Sequence, residues 1–144
     1  MNLESIQKLW EFDAVINPSD LSGESLKIPK LHSKYYKIFS TERLTLLKYE
    51  SEYKRLKMLK YDWLDAKLSR DELKDLGWEP CQRTFLKQEI QSRIDSDIDI
   101  INMELKIGLQ KEKMEFLESI IRSLTNRGYQ IRAAIDWERF RSGG

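Results

Sequence analysis

The chain is predicted to be all-α, with two long helices in a hairpin-like arrangement and shorter helices at its ends. Three observations lead there. Only three prolines and six glycines occur in 144 residues. Between them large apolar residues recur at spacings of three and four, the period of an amphipathic helix and not of a strand. A 40% hydrophobic share beside 34% charged residues is too apolar for a disordered chain, and a mean hydropathy of -0.60 is too polar for a membrane protein. The length suits one helical domain, 1–144, with a modest core and apolar faces left for partners.

Residues 1–30 form an acidic amino-terminal helix and a connection. Leu3, Ile6, Leu9, Trp10 and Phe12 give one face of a helix running from about Leu3 to Val15, which Asn17-Pro18-Ser19-Asp20 ends. The stretch from there to about Lys30 mixes Ser, Gly and Pro, the composition of an irregular connection. Residues 31–68 contain no Gly or Pro, and Tyr35, Tyr36, Phe39, Leu46, Leu47, Tyr49, Tyr53, Leu56, Leu59, Trp63 and Leu64 fit one long helix or two in tandem. Ser40-Thr41-Glu42 offers an internal cap for the second case. Residues 69–84, with Gly77 and Pro80, are expected to be a loop.

A second long helix is expected over 85–126, serving core and assembly. Ile94, Ile98, Ile101, Leu105, Leu109, Phe116, Ile120 and Leu124 make one stripe, and Met103, Ile107, Met114, Leu117 and Ile121 a second. Two stripes need two surfaces, and self-association through one of them is the economical explanation. Gly128 suits the end of that helix, after Asn126 and Arg127. A short carboxy-terminal helix within 127–144 then shows Ile131, Ala134, Ile135, Trp137 and Phe140 on a small apolar face. Ile131, Ile135, Trp137 and Phe140, with Phe116 and Ile120, are the residues expected to join copies of the chain.

The net charge is only +1, yet it is unevenly spread. Residues 1–26 carry one basic side chain against five acidic, whereas 27–60 carry ten basic against three acidic. Such asymmetry points to a polyanionic partner. On a helix Lys30, Lys34 and Lys37 share a face, and Lys54, Lys57 and Lys60 follow at spacing three beside Arg55. Rows of this kind match a phosphate backbone, whose neutralisation releases counterions. Tyr53, Tyr61 and Trp63 lie among them and could stack on unpaired bases. The competing reading is a helical scaffold whose lysines are a solvated face and whose aromatics are core, its apolar stripes meeting a protein partner.

No catalytic constellation stands out. The chain has neither GxxxxGK[ST] nor GxGxxG, and one His with one Cys excludes the common zinc arrangements. Asp95, Asp97 and Asp99 fall on different sides of a helix, so Ser96 or Asp97 reads as a helix N-cap and not as part of a metal site. Cys81, in a Gly-Trp-Glu-Pro-Cys loop, has no neighbouring His in sequence to activate it. The amino terminus lacks the charged and apolar regions of a signal peptide, and no run of apolar residues reaches spanning length, so neither secretion nor membrane insertion is expected. No enzyme activity, metal or cofactor is expected.

Two stretches carry a family resemblance. Leu56-Lys57-Met58-Leu59-Lys60-Tyr61-Asp62-Trp63 is similar to the basic helix of the UvsY recombination mediators of T-even-type bacteriophages, and Asn126-Arg127-Gly128-Tyr129-Gln130-Ile131-Arg132 is similar to that family's Arg-Gly-aromatic break before its last helix. The order of acidic helix, basic helix, polar loop and long helix agrees over nearly the full length. The resemblance implies single-stranded DNA binding by the basic segment, with Lys60 on one of the family's basic pair and Met58 replacing the other, so that Lys57 or Arg55 would have to substitute. Lys54, Arg55, Lys57, Lys60, Lys34, Lys37 and Tyr61 are the candidate contacts. It also implies a ring of six or seven identical subunits assembled through the carboxy-terminal region, and help to a RecA-like recombinase in displacing a single-strand-binding protein. The setting it implies is the cytoplasm of an infected bacterial host.

Overall fold

The computed structural model describes residues 1–143 and contains, among them, five helices and no strand. They are α1 (Leu3–Asp13), α2 (Leu21–Leu64), α3 (Arg70–Leu76), α4 (Lys87–Asp95) and α5 (Ile98–Arg141). Two helices, α2 and α5, are 44 residues long and each contributes to both of two compact units. One unit combines Met1–Leu44 with the chain from Gln110 onward; the other is Thr45–Leu109. The single helical domain expected from length thus divides into two units, each with its own core.

In the first unit α1 lies against α2 and α5 because Ile6, Leu9 and Trp10 share one face. Ile6, Tyr35, Leu117, Ile120 and Leu124 are fully buried together, with Leu31, Ile38, Phe39, Phe116 and Ile121 packed around them. Trp10 meets Tyr35 edge-on with ring centres 5.5 Å apart, and the Tyr35 hydroxyl donates to Asp13 Oδ2 at 2.7 Å. Buried Arg127 donates to the carbonyls of Asp13 (3.2 Å) and Ala14 (3.1 Å), satisfying the end of α1 with a cation where the helix dipole favours one. A second polar tie joins α2 to α5: Gln110 Nε2 donates to both the carbonyl and the carboxylate of Glu42, each at 2.7 Å, and Lys113 reaches the same carboxylate.

In the second unit Leu64, Ile90, Ile94 and Ile100 are buried, flanked by Tyr53, Leu56, Tyr61, Trp63, Cys81 and Phe85. The first half of the expected loop at 69–84 is occupied by α3. Ser69 and Glu72 form a reciprocal capping box at its start, and Gly77 ends it at φ 70°, a conformation that costs glycine little. The Leu86 N–H donates to Glu89 Oε2 at the start of α4. The expected helix over 85–126 is interrupted at Ser96 and Asp97, where Asp97 Oδ1 accepts from the N–H groups of Asp99 (2.9 Å) and Ile100 (3.2 Å) and so caps α5 as the sequence suggested.

Three expected boundaries are corrected. The connection reaching to Lys30 is helical from Leu21, with Pro29 inside α2. The first helix ends at Asp13, two residues before Val15. The break at Gly128, and with it a separate helix over 127–144, does not exist: α5 runs through to Arg141. Leu124, Arg127 and Ile131, buried on either side, hold the backbone helical across the glycine. A Cβ at Gly128 would meet nothing within 4 Å. Gly128→Ala therefore raises stability by about 0.5–1 kcal/mol in urea denaturation, the ordinary helix penalty of glycine. A loss of stability would show that the helix is strained at this point.

Candidate nucleic-acid interface

The predicted contacts separate into solvated and internally paired groups. On the part of α2 belonging to the second unit, Lys54 and Arg55 are exposed, as is Lys48, two turns before Arg55 on the same side. Lys57 is half-buried, its ammonium 4.6 Å from the centre of the Tyr53 ring. No carboxylate pairs with any of these four among the described residues. Tyr53 itself faces inward and donates to Glu104 at 2.6 Å, which pushes its pKa up to about 12.

Lys60 stands apart from that row. It is 8% exposed, and its ammonium lies 2.8 Å from Asp99 Oδ2 and 3.1 Å from Asp97 Oδ2. The Trp78 ring centre is 4.4 Å away. Burial alone would lower its pKa, but hydrogen bonds and charge from the two aspartates outweigh this and the net shift is upward. Lys60 is a cation held inside the chain's own second unit and neutralised by Asp97 and Asp99, and the expectation that it continues the row Lys54, Lys57, Lys60 is corrected. Trp63 and Tyr61 pack at the edge of the same core, and the Trp63 indole donates to the carbonyl of Glu79 at 2.7 Å. Trp63 and Tyr61 therefore serve packing first.

In the first unit Lys37 is exposed and forms no ion pair among the described residues, whereas Lys34 donates to Asp13 at 2.6 Å. The proposed assembly residues divide in the same way. Ile120 and Ile131 are 0% and 3% exposed and belong to the chain's own interior, with Phe116 packed against it. Ile120 and Ile131 leave no surface for a second copy, which corrects their assignment; Phe116 is half-buried. Ile135 is half-buried. Trp137 and Phe140 are 60% and 75% exposed and stack on each other with ring centres 5.7 Å apart. His32 and Tyr36 are exposed rings that sequence reasoning did not name as contacts, Tyr36 having been read only as part of the helical pattern; their spacing of four on a helix was the available signal.

Among the described residues no helix is long and apolar enough to cross a membrane. The fold is that of a phage recombination mediator. Two crystal structures of the bacteriophage T4 recombination mediator protein UvsY match the chain with a TM-score of 0.84 each. One is 19% identical and covers 97% of this chain and 99% of its own; the other is 20% identical and covers 99% and 98%. The chain belongs to the UvsY family, described as "Recombination, repair and ssDNA binding protein UvsY", whose family model matches residues 9–144. The recombination protein uvsY of Enterobacteria phage T4 is 21% identical over 143 residues, 99% of each chain.

Proposed function

We propose that this protein is a non-catalytic recombination mediator: it binds single-stranded DNA on the exposed cations of α2 and helps load a RecA-like recombinase onto DNA covered by a single-strand-binding protein. The observation that carries the proposal is that Lys48 and Arg55 on one side of α2, and Lys54 and Lys57 further round it, stand without acidic partners among the described residues, in a chain whose overall charge is nearly balanced. Several lysines elsewhere are spent on ion pairs, as Lys27 is with Glu24, Lys34 with Asp13 and Lys113 with Glu42. Membership of a family described as binding single-stranded DNA supports the same reading. Titration of a labelled oligonucleotide at two salt concentrations tests it: affinity falls steeply with salt if phosphates are contacted, and a protein acting only as a scaffold shows no such binding.

A patch of a few cations binds weakly alone. Several copies on one strand raise the effective concentration and can strengthen binding by about 10²–10⁴-fold. Trp137 and Phe140 are the surface proposed to join the copies, since two large stacked rings in solvent are costly unless covered. The Trp137→Ala, Phe140→Ala double variant is expected to sediment at a lower mass than the parent. An unchanged mass would move assembly to the exposed row of Ile98, Leu105 and Leu109 on α5.

A further inference from the structure

We infer that the first unit carries a base-stacking platform for single-stranded nucleic acid, built on Tyr36 and His32 and flanked by Lys37 and Arg43; the inference rests on the proposed single-strand binding and adds a second kind of contact to it. The His32 and Tyr36 rings lie nearly parallel, 10° apart in plane and 6.0 Å between centres. Tyr36 leads on to Phe39 at 5.9 Å, and the Arg43 guanidinium sits 5.6 Å from the Phe39 ring. The result is a ladder of π-faces along one side of α2, ending in a cation. Neighbouring ring centres lie 6.0 and 5.9 Å apart, too close for a base to enter between them. A base would lie on the solvent side of Tyr36, which is 45% exposed, beside the open groove of about 510 Å³ that His32, Ser33, Tyr36 and Lys37 line.

Charge selects the occupant. Lys37 and Arg43 are exposed and form no ion pair among the described residues, while Glu42, the only acidic residue between Lys30 and Leu44, is buried and engaged by Gln110 and Lys113. The His32 and Tyr36 rings have polar edges, and beside them lie the Ser33 hydroxyl and the Lys37 ammonium. A planar group bearing a phosphate fits both features: the base stacks on Tyr36 and Lys37 reaches its phosphate. Such stacking is tolerant of base identity, as every base has a π-face.

The test compares the intact protein with Tyr36→Ala and Tyr36→Phe, using an oligo-dT and an abasic oligonucleotide of the same length. Tyr36→Ala is expected to bind oligo-dT about tenfold more weakly with the salt dependence unchanged, and Tyr36→Phe to stay within about twofold. On the abasic strand, which keeps phosphates and lacks bases, parent and Tyr36→Ala should bind alike. Equal binding of oligo-dT by parent and Tyr36→Ala would overturn the platform and leave the proposed mediator standing. A loss of the same size on the abasic strand, or a changed assembly mass in Tyr36→Ala, would assign the ring to subunit structure and overturn it too. Failure of the parent to bind either strand would remove both proposals.

Discussion

Alanine at Lys54, Arg55 and Lys57 together lowers affinity for single-stranded DNA on the order of 50-fold near physiological salt, and shortens the slope of log affinity against log salt by about 2. The magnitude comes from counterion release, in which each phosphate contact on a single strand contributes about 0.7 to that slope. Two of the three side chains stand in solvent and the third, half-buried Lys57, lies over the Tyr53 ring without an ion pair among the described residues, so the fold should survive the change. Titrations at four salt concentrations, with a thermal melt as control, provide the measurement. A triple variant with the parent slope would place the phosphate contacts elsewhere on the chain.

Lys60→Ala has a different outcome. Removing the ammonium leaves Asp97 and Asp99 facing each other beside the Trp78 ring, and stability drops by about 1–3 kcal/mol. The lower part of that range is expected because the side chain of Asp99 is 53% exposed and water screens it. The slope of DNA binding against salt should stay at the parent value once the folded fraction is accounted for. Adding Asp99→Asn to Lys60→Ala should recover part of the stability in urea denaturation. A variant that keeps its stability but loses salt slope would return Lys60 to the DNA-binding row.

The contrast between Lys57 and Lys60 shows where the sequence is informative. Helical periodicity located α2 and α5 and placed cations on α2, because a period is a local property. It could not tell Lys57 from Lys60, three residues apart, as their fates are set by Asp97 and Asp99 across the second unit. Gly128 shows the same limit in the backbone. A glycine after Asn-Arg is a sound local stop signal, yet Arg127 is committed to the end of α1, more than a hundred residues earlier, and this tertiary tie keeps the helix going. Ile120 and Ile131 could be recognised as apolar but not assigned to the inside of one chain in preference to the contact between two. At Asp97 the cap was legible, since a cap is built within three residues.

Pro29 has a kinetic consequence. It sits nine residues into α2 on the exposed side, lacks an N–H, and so leaves the carbonyl of Ser25 without its helical donor. The turns from Leu21 to Ile28 are therefore joined to the rest of α2 by one hydrogen bond fewer, and can open while the turns beyond Pro29 stay closed. Their amides should exchange with solvent deuterium well ahead of those from Leu31 onward. The boundary that composition places near Lys30 then persists as a division in time, separating a fast-exchanging cuff from a slow rod within one continuous helix.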